Sequence, residues 1–253
     1  MKVCFVSVDV ESDLAEPQSF DGVENLNRVF DVFKKYNISA TLFVTGNVLE
    51  KYAEKIKRWS ENYEIACHSF SHQFWDILDN QERQKELDKF ISLYKRIFNT
   101  NPYGFRVPSH IINEQGLRLV QEKGFLYDSS VVPHYPFFKT YRGYKGKAPQ
   151  KPYFPNEKNY KKKGKMKILE IPVSGILSVP LAGAWISKLP FFVYELLFRI
   201  KNPDFLVLSL HSWDGLDNKL IIKLEKLLEL LENKNYRFLN GKQVYELFST
   251  NKR

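Results

Sequence analysis

The chain has 253 residues, 43% hydrophobic and 26% charged, with 38 Lys+Arg against 29 Asp+Glu and a formal net charge of +9. This composition excludes a disordered chain, a collagen and a bare coiled coil. The charge is the anomaly, and nucleic acid, an anionic membrane, an anionic substrate or a lysine-rich background could each account for it. The excess is local. Residues 139–167 hold 11 Lys+Arg and one acid, Glu157, whereas the rest of the chain has 27 basic and 28 acidic residues. The same stretch carries Tyr141, Tyr144, Tyr153, Phe154 and Tyr160, and its prolines and glycines predict a loop.

Two cysteines, Cys4 and Cys67, are too few for a disulfide framework and suit a reducing compartment. Only six uncharged residues separate Lys2 from Asp9, too few for a signal-peptide core. The longest uncharged run, Ile171 to Ser187, has 17 residues broken by Pro172, Gly175, Pro180 and Gly183, short of the ~20 that span a bilayer. A cytoplasmic protein is expected, at most peripheral to a membrane.

Short apolar runs alternate with helical periodicity. Val3 to Val8 reads as a strand, followed by Leu26, Val29, Phe30 and Phe33 at helical spacing. Ser39 to Val44 is a second strand, followed by a helix through Trp59, and Tyr63 to Ser69 is a third. A long helix with Leu87, Phe90, Ile91, Tyr94, Ile97 and Phe98 on one face precedes a strand at Tyr103 to Pro108. Asn113 is the expected N-cap of the next helix, and Phe125 to Ser130 the next strand. Beyond the basic stretch come strands at Ile168 to Val173 and Phe205 to His211, with a helix between at Pro190 to Ile200. A strongly striped helix at Leu216 to Glu232, a strand at Tyr236 to Leu239 and a last helix close the chain. The alternation predicts one α/β domain over residues 1–253, a mostly parallel sheet with helices outside, either open or closed as a barrel.

In such folds chemistry gathers at the C-terminal strand ends. Strand one ends in Asp9-Val10-Glu11-Ser12-Asp13, where Asp9 and Glu11 share a face and need a cation or a base to hold them together. Strand three runs into His68-Ser69-Phe70-Ser71-His72, a His pair at i and i+4. Arg106 precedes Val107-Pro108, Asp128 ends the fifth strand, and His211 ends an apolar run before Ser212-Trp213-Asp214. Singly, each has an ordinary explanation: capping acids, surface histidines, an Arg before a turn proline, a core histidine. Jointly, they read as a metal-dependent hydrolase.

These segments, in order SVDVES, HSFSH, FRVPS, YDSS, LEIP and LSLH, resemble the polysaccharide deacetylase family (carbohydrate esterase family 4) from Val3 to about Phe248. The resemblance implies a distorted (β/α)7-type barrel that removes an N-acyl group, acetyl or formyl, from an amino sugar. It implies Asp9 as general base, Glu11, His68 and His72 as ligands of a divalent metal, and Arg106 as the residue orienting Asp9. His211 would be the general acid, oriented or tuned by Asp128. Zinc suits the imidazole–carboxylate set, with cobalt, nickel or iron as alternatives. The first motif is Asp-x-Glu where many members have adjacent aspartates, which leaves the third ligand open between Glu11 and Asp13. Ser109-His110 follows Pro108 where many members have an aromatic or glycine, and the oxyanion donor stays unassigned.

Pro108, Ser109, Tyr144 and Trp213 are the candidate substrate contacts. Cys67, next to His68, should face the helices. The basic aromatic stretch is expected either to line the substrate rim, where it would meet a phosphate- or lipid-linked sugar, or to be a solvated turn. The apolar run from Ile171 to Ile200 is expected either to lie on an anionic membrane surface or to be barrel core. Nucleic acid is not expected, because it leaves the strand-end residues unexplained. A hydrolase of cyclic amides or imides on the same scaffold and a non-catalytic carbohydrate-binding relative are the alternatives. The oligomeric state is left open.

Overall fold

A computed structural model describes residues 1–13, 18–133, 143 and 146–250. Strand β1 (Lys2–Val10) is followed by helices α1 (Asp21–Glu24) and α2 (Asn27–Lys35), then β2 (Thr41–Val44), α3 (Gly46–Lys51) and α4 (Ala53–Trp59). Next come β3 (Glu64–Cys67), α5 (Asn80–Phe98), β4 (Gly104–Phe105), α6 (Glu114–Glu122) and β5 (Tyr127–Asp128). The second half comprises β6 (Pro155–Asn156), β7 (Asn159–Lys163), β8 (Leu169–Glu170), β9 (Leu181–Ala182), α7 (Gly183–Lys188) and α8 (Phe191–Ile200). It ends with β10 (Phe205–His211), α9 (Asn218–Asn233), β11 (Tyr236–Leu239) and α10 (Gly241–Ser249).

The main sheet has the order β8-β5-β4-β3-β2-β1-β10-β9, all neighbours parallel. β11 pairs with Lys2 to Phe5 of β1, and β2 pairs with Ser7 to Val10, so the two share one edge of that strand. The curled sheet closes on itself without a full ladder: Ser174, just past β8, accepts a hydrogen bond from Val207 of β10 at 3.1 Å. This is the expected α/β fold, a distorted barrel with helices outside.

Strand alternation separates two apolar layers. Cys4, Val6, Val8 and Val10 of β1 point outward into the larger cluster beneath the helices, with Val29, Phe33, Leu224 and Leu228. Val3 and Phe5 point inward with Phe43, Tyr127, Leu169 and Val207. The inward face of β1 continues through Ser7 to Asp9, and that of β10 runs Phe205, Val207, Ser209, His211. The barrel interior is therefore apolar at its floor and polar at its C-terminal mouth. Cys67 lies in the outer layer, as its position beside His68 requires.

Several expectations shift in detail. β4 pairs over two residues because Pro108 has no N–H and Ser109 and His110 take left-handed φ of 52° and 57°. The apolar run Ile171 to Ser187 is cut into β9 and α7. The basic stretch is not a simple loop: residues 155–163 form an antiparallel hairpin. The Asn156 and Asn159 side chains accept from Lys158 N and Lys161 N, closing its turn locally. Tyr153 bridges to Glu170 and covers the open edge of β8, while Tyr160 and Met166 join the outer core. The segment thus supplies part of the outer layer between β5 and β8, where the described residues form no helix.

Gly104 sits where an added Cβ would lie 2.0 Å from the buried Tyr127 ring. Gly104→Ala should cost about 1–3 kcal/mol through overpacking, read as a lower urea midpoint with an unchanged slope.

Candidate active site

The mouth of the barrel holds a cavity of about 650 Å³. Asp9, Glu11, His68, His72 and His211 line it beside an apolar wall that includes Trp185 and Trp213. Asp9 and Glu11 reach it from the inward face of β1, and His211 from β10, where it is the register partner of Asp9.

Arg106 lies under this cavity, fully buried. Its Nη1 donates to Asp9 Oδ1 at 2.6 Å and to Ser209 Oγ at 3.2 Å. Its Nε and Nη2 donate to the carbonyl and hydroxyl of Ser129, both at 2.9 Å. The guanidinium sits over the Phe43 ring, 4.2 Å from its centroid. Burial alone would raise the Asp9 carboxyl, but Arg106 outweighs it, helped by His68, His211 and His110, and holds Asp9 well below the usual carboxylate range.

Glu11, His68 and His72 place their ligand atoms within 4.8 Å of one another. His68 Nδ1 donates to the Arg106 carbonyl at 2.8 Å, which leaves its Nε2 lone pair facing Glu11 Oε2 at 3.8 Å. His72 Nε2 contacts the same Glu11 oxygen. Burial pushes the His68 imidazole down despite Asp9 and Glu11, so its ring is neutral at neutral pH. Burial would raise the Glu11 carboxyl, yet the hydrogen bond from His72 and the neighbouring imidazoles hold it below its ordinary value. A buried carboxylate and an imidazole lone pair aimed at one another repel unless a cation lies between them, so this donor set fits a borderline divalent metal. Asp13 is engaged elsewhere: it accepts from Ser19 Oγ at 2.6 Å, Asp21 N at 2.9 Å and Gly22 N at 3.1 Å at the start of α1. Of the two acids left open as third ligand, Glu11 is the one grouped with the His pair.

The loop carrying His72 is anchored by Glu86 of α5, which the sequence reading passed over. Its carboxylate accepts from Ser69 Oγ, Phe70 N, Ser71 N and Ser71 Oγ at 2.8–3.1 Å. From the other side, Gly46 N and Asn47 N of α3 donate to the carbonyls of Ser69 and Phe70. These bonds hold Ser69 and His72 in left-handed backbone, φ 63° and 60°.

His211 stacks on Trp213, ring centroids 4.5 Å apart. Burial would lower its pKa, but Asp214, Asp9 and Glu11 more than offset this and lift it to about 9. Asp214 Oδ2 accepts from His211 N at 2.8 Å and lies 3.8 Å from its Nδ1. Gly183 leaves the space, since a Cβ there would fall within 1.8 Å of Asp214 Oδ2. Asp128, expected to tune His211, does not do so. Its neighbours Tyr127 and Ser129 face the barrel interior, so Asp128 faces outward, buried, paired in register with Glu170 and accepting from Ser130 Oγ at 2.6 Å. Burial raises both carboxyls of that pair, and the neighbouring Asp128 raises Glu170 further.

Of the expected substrate contacts, Ser109 and Trp213 line the cavity. Pro108 does not: it is buried at the start of the 3-10 turn Pro108–His110 and fixes that turn from below. Tyr144 lies outside the described residues. His110 also lines the cavity and was missed; burial and the Arg106 charge push its pKa down to about 3, leaving a neutral ring. None of the described residues of 139–167 is in the cavity lining, although Gly143 lies close against Ser109 and His110, which are.

Residues 17–127 match the family model for polysaccharide deacetylase. The peptidoglycan deacetylase-like protein FGM2 of Gibberella zeae is 32% identical over 118 residues, covering 46% of this chain and 35% of that protein. The peptidoglycan deacetylase of Helicobacter pylori is 30% identical over 118 residues, covering 45% and 39%. The chain thus spans well under half the length of these curated relatives. A solved Mycobacterium smegmatis structure assigned to the polysaccharide deacetylases superposes with a TM-score of 0.74 at 19% identity, covering 99% of this chain and 92% of that one, which establishes the shared fold.

Glu86 touches no ligand directly, so its removal tests the scaffold of the metal site. Glu86→Ala should weaken zinc binding about 10- to 100-fold by titration calorimetry while far-UV circular dichroism stays unchanged.

Proposed function

Taking the relationship to the polysaccharide deacetylases as premise, we propose that the chain removes an N-acyl group, acetyl or formyl, from an amino sugar in a metal-dependent hydrolysis. The observation that carries this reading is the pairing of Asp9 with His211. They are register partners on adjacent strands at one cavity, and their neighbours drive them to opposite protonation states. A carboxylate base and an imidazolium acid are what cleavage of an unactivated amide requires, because water must lose a proton and the amine must gain one.

Glu11, His68 and His72 would hold the divalent ion, best suited as zinc, which supplies Lewis acidity toward the amide carbonyl. Arg106 occupies Asp9 Oδ1 and keeps the carboxylate ionised, which leaves Oδ2 to take a proton from water as the C–O bond forms. His211 delivers its proton to the departing nitrogen as the C–N bond breaks, so the products are a carboxylic acid and a free amine. Trp213 and Trp185 offer ring faces of the kind on which sugars stack. A merely sugar-binding relative would have no use for the opposed charge states of Asp9 and His211. The two free buried cysteines support a cytoplasmic, reducing location.

Asp9→Asn and His211→Ala should each lower amine release from N-acetylated amino-sugar oligomers by ~10² or more while bound metal is unchanged. Undiminished turnover by Asp9→Asn would overturn the assignment. In the unaltered protein, kcat/KM should fall as pH rises through the His211 value of about 9, where the acid loses its proton. Asp214 favours the protonated ring, so Asp214→Asn should move this alkaline limb about one pH unit or more lower, read from a pH–rate profile.

A further inference from the structure

Helix α8 is apolar on two faces. Tyr194 and Phe198 are buried against the barrel, Phe198 packing edge-on to Tyr236. On the other side, Phe192, Leu196 and Ile200 recur at i, i+4 and i+8 with exposures of 63%, 52% and 64%. A water-facing helix surface normally carries polar residues there, and contiguous exposed apolar stripes mark interaction surfaces.

Two features indicate what covers the stripe. The first is charge: between residues 188 and 201 Lys188, Arg199 and Lys201 are exposed against Glu195, and the next acid, Asp204, is paired with Lys151. An amphipathic helix with large apolar side chains and a cationic surround matches the interface of an anionic bilayer. The second is continuity with the cavity. Helix α7, joined to α8 by Leu189 and Pro190, contributes Ala184 and Trp185 to the cavity wall, and Ile77, 65% exposed, lines the same cavity. Lys223 Nζ donates to the carbonyls of Ser187 and Leu189 at 2.6 and 2.9 Å, fixing the corner between the two helices. No described helix is long and apolar enough to cross a membrane, so contact would be confined to the surface.

We propose that the Phe192–Leu196–Ile200 face of α8 docks on an anionic lipid surface, with the cavity wall formed by α7 alongside it. The proposal does not call on the basic stretch at 139–167. The proposal is independent of the chemistry assigned to the cavity.

The test is flotation of the full chain with phosphatidylcholine vesicles and with vesicles containing 30 mol% phosphatidylglycerol. The chain should float with the anionic vesicles, less so in high salt. The triple substitution Phe192→Ser, Leu196→Ser, Ile200→Ser should reduce partitioning at least about tenfold, and Lys188→Glu with Arg199→Glu and Lys201→Glu should remove the preference for anionic lipid. Both variants should keep the thermal midpoint and zinc content of the parent, which separates lost docking from lost folding. Failure of the parent to float with anionic vesicles, or undiminished flotation of the apolar triple variant, would overturn the proposal. So would a parent dimer that does not bind vesicles and that the triple substitution dissociates, because it would assign the face to a second copy of the chain.

Discussion

A fully buried arginine is a costly thing to place inside a barrel, and much of this site is arranged around making it tolerable. Arg106 has five N–H donors, and they reach Asp9, Ser209 and the carbonyl and hydroxyl of Ser129. A buried ion pair adds little stability over apolar residues of the same shape, but breaking one leaves an uncompensated charge and costs several kcal/mol. The pair is better understood through what it fixes. It keeps Asp9 ionised in a place where burial would otherwise protonate it. Through its own carbonyl, the same residue dictates which nitrogen of His68 carries the proton. One side chain and its backbone thereby set both the charge of Asp9 and the tautomer of His68.

Period-two alternation along the strands turns that local arrangement into a vertical division of the barrel. Inward positions pass from Phe5 through Ser7 to Asp9 on β1, and from Val207 through Ser209 to His211 on β10. The floor is closed by rings, with Phe43 edge-on to both Phe5 and Tyr127 at 6.4 Å. Beneath them Glu64 accepts from Thr41 Oγ1, Tyr127 OH and Lys242 N, which ties the start of α10 to the strands. The polar residues are therefore confined to the mouth, where solvent and substrate can reach them.

The strand ends were legible because apolar runs that terminate in Asp, His or Arg are uncommon and because parallel barrels collect chemistry there. Asp9, Glu11, His68, His72, Arg106 and His211 converge as that reasoning expects. Asp128 does not, because a strand of two paired residues carries too short a pattern to show which side faces in. The large Tyr127 ring claims the interior and turns Asp128 outward. Glu86 was hidden for a different reason: it is one acid among many on a charged helix, and only the fold brings it to the loop after β3. Asp214 left a signal that was not used, since an acid three residues after His211 is placed to reach back to its backbone N–H, as it does. The hairpin at 155–163 was obscured by the prolines and glycines around it, although Asn156 and Asn159 supply its turn chemistry.

The net charge of +9 describes the chain and not its cavity. Asp9, Glu11, Asp13 and Asp214 all line the cavity, and Arg106, the cation that reaches them among the described residues, lies below it and is spent on Asp9. His68 and His110 are held neutral there by burial. His211 alone among these rings is driven to carry a proton, because it has carboxylates on more than one side and stacks on a tryptophan that leaves those contacts open. Lys158, Lys161, Lys162 and Lys163 sit on an outer hairpin, where Tyr160 is buried and the ammonium groups can remain in water. Charge counted along the sequence thus locates a piece of the barrel's outer layer, whereas charge counted around the cavity locates a carboxylate held ionised opposite an imidazole held protonated.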